Sequence, residues 1–121
     1  FELPLYFRIA GKLRFHKLIP GRLLKNVNAL TYWFFGVEEV KHKKLLKSII
    51  NDTDVLFLKW AINCIVSWKN TITSEKAVHI HGTTDKILPA KKPDISISNG
   101  GHLMIITKGV ELSAIINRIL L

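Results

Sequence analysis

Two titratable side chains, Asp85 and His102, each follow a short apolar run that ends in a glycine-containing turn. Asp85 comes after A-V-H-I-H-G-T-T, and His102 comes after D-I-S-I-S-N-G-G. The β-branched and alternating residues predict strands at residues 77–80 and 94–98. Parallel neighbouring strands end at the same edge of a sheet, which would bring an acid and a base within hydrogen-bond reach. The spacing therefore predicts a site for proton transfer at this edge.

Each of the two residues also has a simpler interpretation. Asp often accepts hydrogen bonds from turn amides, and for Asp85 alone this interpretation carries the same weight as the catalytic one. His102 on its own fits a partly buried loop histidine. The pair favours the catalytic interpretation, because both side chains emerge from the carboxyl ends of predicted adjacent strands.

A metal site is the second chemistry that these residues allow. His79, His81, Asp85 and His102 are ligand types that zinc accepts, and residues two apart on a strand share a face. Packing and turn hydrogen bonds account for strand histidines more often than metal binding does. We therefore predict that the chain binds neither a metal nor another cofactor.

The first 70 residues have helical periodicity and contain no strand candidate. Apolar spacing and the positions of glycine and proline predict helices at residues 3–18, 22–35, 38–50 and 55–68. Polar side chains at residues 51–54 supply capping oxygens for the last of these helices.

Aromatic residues are concentrated at two places in the predicted helices. The cluster at residues 32–35 is expected to lie in the core or on the underside of the helical layer, and it is a hypothetical lining for an apolar substrate pocket. Trp60, Cys64 and Trp68 lie at i, i+4 and i+8 on the fourth helix. Between two tryptophans, Cys64 is expected to be a small buried hydrophobic residue and not a nucleophile.

After residue 70 the pattern changes to strand, proline-containing linker, strand and helix. The last helix is predicted at residues 109–120, with Thr107 as its cap. This order predicts an α/β fold with a parallel sheet, and it divides the chain into a helical region at 1–73 and a sheet region at 74–121. Two strands cannot bury both faces of such a sheet, so the other strands are expected from a missing N-terminal part or from another chain.

Composition excludes several classes of protein. The net charge is +9, most of the 18 Lys and Arg residues precede residue 77, and lysine far outnumbers arginine. This pattern indicates a solvated basic surface and disfavours nucleic-acid recognition, which relies on arginine geometry.

The apolar stretches are shorter than the ~20 residues of a membrane span. The single cysteine gives no internal disulfide, so we expect a cytoplasmic protein, and the absence of Met before Phe1 suggests a piece of a longer one.

The two loops resemble a known family. H-I-H-G-T-T-D-K-I-L-P at residues 79–89 and N-G-G-H-L-M at residues 99–104 resemble the carboxyl-terminal part of an α/β-hydrolase. In that family a catalytic acid follows one strand and a catalytic histidine follows the last strand, ahead of a closing helix. The resemblance implies that Asp85 is the acid and His102 the base of a catalytic triad. It also implies that the preceding helices form a lid, although the likeness is weaker over residues 1–50.

The chain departs from this family in its nucleophile. The family's serine lies in a G-x-S-x-G turn ahead of the lid, in the order Ser, Asp, His. None of the 7 glycines here brackets a serine, and Ser48, Ser67 and Ser74 lie in or beside predicted helices. No oxyanion-hole loop is recognisable. The resemblance thus implies that the serine lies upstream of this chain, which alone is expected to be inactive.

The function implied by the resemblance is hydrolysis of an ester or amide by a Ser-His-Asp mechanism. The aromatic-rich helices favour an apolar substrate, and the part completing the sheet is the other expected partner. The alternative is a non-catalytic hydrolase-like module that uses its basic helices to bind a partner or an anionic surface.

Overall fold

The computed structural model of the protein describes residues 3–69 and 76–121. It shows a mixed α/β architecture that is mostly helical and contains one two-stranded parallel sheet, which confirms the predicted class in this coarse form. Within the described ranges, no helix is long and apolar enough to span a membrane. Along the chain the elements are α1 (Leu5–Lys12), α2 (Phe15–Leu18), α3 (Gly21–Leu24), α4 (Ala29–Phe35), α5 (Val40–Asp52), α6 (Val55–Val66), β1 (Ile80–Gly82), β2 (Ile95–Ile97), α7 (Met104–Thr107) and α8 (Gly109–Leu120).

The chain forms two compact units. The first comprises Phe1–Asn28 and Lys44–Ala77, and the second comprises Ala29–Lys43 and Val78–Leu121. Helix α4 therefore belongs to the same unit as the two strands, while α5 begins in the second unit and continues into the first. The boundary predicted between residues 73 and 74 lies outside the described residues.

The first unit is built around α6, against which α1, α2 and α3 pack. Asp54 begins α6 as predicted, because its Oδ1 accepts hydrogen bonds from the amides of Leu56 (2.8 Å) and Phe57 (3.0 Å). These are amides that the first turn of a helix otherwise leaves unpaired. A single side chain thus fixes where the central helix of this unit starts.

Two predicted helices are each divided in the structure. The helix predicted at 3–18 becomes α1 and α2, because Arg14 adopts a left-handed conformation with φ 54°. The helix predicted at 22–35 becomes α3 and α4, separated by residues 25–28, which include Asn26 and Asn28. Asn side chains compete with the helix for backbone hydrogen bonds. Apolar spacing predicted the helical residues on either side but not these breaks.

The prediction that Cys64 is buried is wrong, since the residue is exposed. Its neighbours on the same helical row, Trp60 and Trp68, are 60% and 56% exposed. The physical reason is that α6 is apolar on most of its surface. Periodicity in such a helix does not distinguish the buried side from the exposed one.

The second unit contains the sheet, and its core is centred on β2. The strands are parallel, with Ile80 opposite Ile95 and Gly82 opposite Ile97. Ile97 is fully buried, and Leu112 of α8 and Val37 are also buried. β1 begins three residues later than predicted and includes the His81-Gly82 pair that was expected to end it.

Helix α8 covers residues 109–120 as predicted, but its predicted cap is wrong. Thr107 is the last residue of α7, and its Oγ1 donates to the carbonyl of Leu103 (3.3 Å). Lys108 occupies the capping position without a side-chain hydrogen bond.

Candidate active site

The loops after β1 and β2 are joined by hydrogen bonds that continue beyond the sheet. The amide of Thr83 donates to the carbonyl of Ile97 (2.9 Å), and the amide of Thr84 donates to that of Gly100 (3.0 Å). The hydroxyl of Thr84 donates to the same Gly100 oxygen (3.0 Å), and the hydroxyl of Thr83 accepts from the Asn99 amide (3.0 Å). The two loops therefore form one structural element, and their side chains are fixed relative to each other.

This junction requires a glycine at position 82. A Cβ atom built on Gly82 would clash with the carbonyl oxygen of Gly100, and one built on Gly100 would lie 2.9 Å from the Gly82 Cα. Both contacts involve backbone atoms, which cannot move aside as a flexible side chain can. The H-G and N-G-G motifs thus bring the two loops together, in addition to forming turns.

Asp85 uses its two carboxylate oxygens for different purposes. Oδ1 accepts hydrogen bonds from the amides of Ile87 and Leu88, both at 2.9 Å. Oδ2 lies 3.0 Å from Nδ1 of His102. The residue is only 9% exposed. The predicted turn hydrogen bonds and the predicted proximity to His102 are both present, because each involves a different oxygen of the same carboxylate.

The environment of Asp85 favours its charged form. Burial alone would raise the pKa of the carboxyl group, but the hydrogen bonds from the Leu88 amide, from His102 and from the Ile87 amide outweigh it. The net effect is a pKa below the usual value for Asp. Asp85 is therefore an anion at neutral pH and can stabilise a positive charge on His102.

His102 is positioned partly by α4. The Phe35 ring meets the His102 imidazole edge to face, with 5.6 Å between centroids, and the amide of Leu103 donates to the Phe35 carbonyl (3.3 Å). Gly36 has a φ of +67°, a conformation that favours glycine. A Cβ atom on Gly36 would lie 2.7 Å from the Cα of Gly101, so the close approach of the two segments also requires glycine. Among the described residues, the His102 ring hydrogen-bonds only to Asp85, so its Nε2 is available to exchange a proton with a substrate or a nucleophile.

The aromatic cluster at residues 32–35 does not form a buried layer. Trp33 is 55% exposed and Phe34 is 40% exposed, whereas Phe35 packs against His102. The expected core position is therefore wrong for Trp33 and Phe34. The reason is that α4 has seven residues, almost two turns, so consecutive aromatic residues point in different directions around it.

The clefts of the second unit include one beside the loop that carries Asp85 and one beside the start of β1. One, of about 440 Å³, is lined mainly by polar residues that include Thr84 and Lys86 on either side of Asp85. The other, of about 470 Å³, is apolar and lies between β1, α7 and α8, where Ile80, Met104 and Leu112 line it. The first cleft adjoins the loop after β1, which carries Asp85, and has room for a polar part of a ligand.

His81 is the second imidazole near Asp85. Its Nε2 lies 3.5 Å from Asp85 Oδ2, and its ring contacts that of His79 with 5.3 Å between centroids. In the part of the chain that the structure describes, no group of three His, Cys, Asp or Glu side chains is arranged to hold a metal ion. The four residues considered for zinc are therefore not arranged as ligands of one metal ion.

Two of the serines singled out in the sequence, Ser48 and Ser67, lie away from strained turns. Ser48 lies within α5, where its hydroxyl donates to Asp52 (2.8 Å), and Ser67 directly follows α6. Ser74 lies outside the described residues. Neither Ser48 nor Ser67 occupies the strand-to-helix turn that activates a hydrolase serine.

Sequence reasoning missed the threonines and Phe35 as parts of this site. No role was predicted for Thr83 and Thr84, yet their hydroxyl groups join the two loops. Two consecutive hydroxyl-bearing β-branched residues after a strand are the signal that was available. For Phe35 no sequence signal exists, because its contact with His102 arises from residues distant along the chain.

The chain matches no protein-family model, no curated protein and no solved structure. Its chemistry must therefore be derived from its own geometry. That geometry consists of a buried, charged Asp85 that contacts one nitrogen of a partly buried imidazole, whose other nitrogen has no partner among the residues that the structure describes.

Proposed function

We propose that this chain supplies the acid and the base of a serine hydrolase of the α/β-hydrolase type, which cleaves an ester or amide bond. The observation that carries the proposal is the 3.0 Å contact between Asp85 Oδ2 and His102 Nδ1 at the carboxyl ends of two parallel strands. The order along the chain supports the same assignment: the loop that carries Asp85 comes first, the loop that carries His102 follows, and helix α8 comes last. The serine is proposed to lie in a segment upstream of this chain.

In the proposed mechanism, Asp85 accepts a hydrogen bond from Nδ1–H of His102. This bond fixes the tautomer in which Nε2 carries a lone pair. The serine hydroxyl attacks the substrate carbonyl while Nε2 takes its proton, and the resulting imidazolium returns that proton to the leaving group. Water then hydrolyses the acyl-enzyme by the same base catalysis. Asp85 stabilises the imidazolium in both halves of the reaction, and no cofactor is needed.

The substrate class is proposed from the helices of the first unit. The rings of Phe57 and Trp60 of α6 contact each other at a tilted angle, with 5.5 Å between centroids, and both residues are more than half exposed. Such a surface favours an apolar group over a charged one. We also propose a cytoplasmic location, because Cys64 is a free thiol.

The test uses the complete gene product that contains this chain and the residues upstream of it. His102→Ala should abolish both hydrolysis of a chromogenic short-chain ester and labelling by a fluorophosphonate that reacts with activated serines. His79→Ala is the matched control, because His79 is an exposed histidine of the same region and should leave both signals intact. Normal ester hydrolysis by His102→Ala would refute the proposal.

The alternative of a non-catalytic binding module is favoured by one observation. Helix α5 exposes Lys41, Lys44 and Lys47, which recur every three residues along one side of the helix. A basic row of this kind suits an anionic partner. The upstream sequence discriminates between the two functions: a strand followed by G-x-S-x-G supports the enzyme, and its absence supports the binding module. The 121-residue chain alone should hydrolyse no ester in either case.

A further inference from the structure

His81 has a polar atom that the mechanism above does not use. Its Nε2 is fully buried and forms no hydrogen bond of good geometry with the described residues. The nearest charged group is the Asp85 carboxylate, whose Oδ2 lies 3.5 Å away. This is the oxygen that also faces His102. Buried polar atoms almost always have a partner, so an unpaired nitrogen beside a carboxylate requires an explanation.

The proton on the His81 ring has two alternative positions when the ring is neutral. With the proton on Nδ1, the lone pair of Nε2 would face the negative Oδ2 across 3.5 Å in a buried environment. With the proton on Nε2, a donor N–H replaces that lone pair beside Oδ2, and the contact becomes attractive. Burial magnifies this difference, because bulk solvent does not reach Nε2 to screen either arrangement. The second tautomer is therefore strongly favoured.

We propose that His81 is a positioning residue that donates a hydrogen bond from Nε2 to Asp85 Oδ2, so that this oxygen serves two imidazoles at once. The carboxylate is then held at all its acceptor sites: Oδ1 by the amides of Ile87 and Leu88, and Oδ2 by His81 and His102. His81 keeps Oδ2 directed at the two rings and stabilises its negative charge. The catalytic meaning of this arrangement rests on the proposed hydrolase function, but the hydrogen bond itself does not.

The groups around His81 that carry or exchange protons are few. Asp85 lies on the loop after β1 and His102 on the loop after β2. His79, on the same strand as His81, contacts its ring but is exposed. The backbone amide of His79 donates to Asp94 Oδ2 (2.7 Å), so the Asp94 charge is directed at the amino ends of the strands and not at Asp85.

The first test needs no variant. Long-range proton–nitrogen NMR correlations on the ¹⁵N-labelled 121-residue chain distinguish a protonated ring nitrogen from an unprotonated one. For the neutral ring we expect the Nε2 resonance of His81 to be that of a protonated nitrogen and the Nδ1 resonance that of an unprotonated one. An unprotonated Nε2 would overturn the proposal.

The second test measures what His81 does to the carboxylate. In His81→Leu, the midpoint of the Asp85 ¹³Cγ titration should move to higher pH, because the charged form loses one donor. In His81→Gln, whose side-chain amide can donate to the same oxygen, the midpoint should stay near that of the wild type. His79→Leu is the matched control on the same strand and should leave the midpoint in place. An unchanged midpoint in His81→Leu refutes the proposal, because a residue that only fills space would give that result.

These outcomes are separable from those that test the hydrolase function. If His102→Ala leaves ester hydrolysis intact while Nε2 of His81 proves to be protonated, the proposed function fails and the His81 hydrogen bond stands. If the Nε2 proton is absent while His102→Ala abolishes hydrolysis, the positioning role fails and the hydrolase function stands.

Discussion

Asp85 and His102 are separated by 17 positions in the sequence, yet Oδ2 of Asp85 lies 3.0 Å from Nδ1 of His102. The contact is held from both sides. Amides of the turn after β1 fix the carboxylate, and the Thr84–Gly100 hydrogen bonds fix the loop that carries the imidazole. The two side chains are therefore ordered before any ligand binds. A reaction that uses both would not have to lose further entropy to bring them together.

In the proposed hydrolase, the charge of Asp85 is expected to contribute more to the reaction rate than the shape of its side chain does. Asp85→Asn keeps an oxygen for the amides of Ile87 and Leu88 but can present an NH₂ group to His102, which favours the wrong tautomer. In the complete protein we expect kcat for ester hydrolysis to fall about 10⁴-fold, as happens when the acid of a serine hydrolase triad is replaced by its amide.

Asp94→Asn is the matched control for this change. Asp94 also accepts a backbone hydrogen bond, from His79 (2.7 Å), but lies at the amino ends of the strands. We expect its kcat to stay within a few-fold of the wild-type value. An equal loss in both variants would show that the effect is structural and not catalytic.

The lowered pKa of Asp85 predicts a specific dependence of stability on pH. Because the folded-state pKa lies below the unfolded value of ~3.9, the stabilisation from the charged form is fully present above that value and disappears as the pH falls through the folded pKa. The wild type should therefore have a larger free energy of unfolding than Asp85→Asn. This difference should be largest near neutral pH and should become smaller in acid.

Urea unfolding followed by circular dichroism, at several pH values from neutral to about pH 3, measures this difference. The Asp94→Asn variant again serves as the reference, since Asp94 is exposed and lies at the amino ends of the strands, away from His102. A difference between wild type and Asp85→Asn that is constant across the whole range would contradict the assignment of a lowered pKa to Asp85.

Gly82 is expected to tolerate no side chain. In Gly82→Ala the new methyl group would overlap the carbonyl of Gly100, so the two loops must separate. Overpacking of this kind costs about 1–3 kcal/mol in the free energy of unfolding. Thermal unfolding measures the loss, and the separation of the loops should also weaken the Asp85–His102 contact. Gly109→Ala is the control, because a Cβ there meets no atom within 4 Å, and it should be neutral or slightly stabilising.

Asp54 is expected to stabilise the first unit without affecting the candidate site. Asp54→Ala removes the acceptor for the amides of Leu56 and Phe57 at the start of α6. The expected loss is about 0.5–2 kcal/mol in the free energy of unfolding. Asp54→Ser, which retains a capping oxygen, should recover most of it. Unfolding curves give both values, and an Asp54→Ala protein as stable as the wild type would contradict the capping role.

Local sequence signals predicted the elements with strong chemical signatures. The cap at Asp54, the span of α8 and the parallel pairing of two strands followed from capping chemistry, apolar spacing and the order of elements. The same signals missed the break at Arg14, because a left-handed backbone at a residue other than glycine leaves no compositional trace. They also placed Cys64 in the core, because an almost uniformly apolar helix gives no indication of its buried side.

For the candidate site, the sequence by itself determined which residues could act together: an acid and a base, each following a strand and a glycine turn. Only the tertiary structure decided how they act. It assigned Oδ1 of Asp85 to the turn and Oδ2 to His102, and it brought His81 to the same oxygen. It also placed Phe35 against the imidazole. The physical reason is that the position of a residue along a strand determines at which edge of the sheet its side chain lies. The direction of each oxygen and ring depends on hydrogen bonds and contacts between residues far apart in the chain.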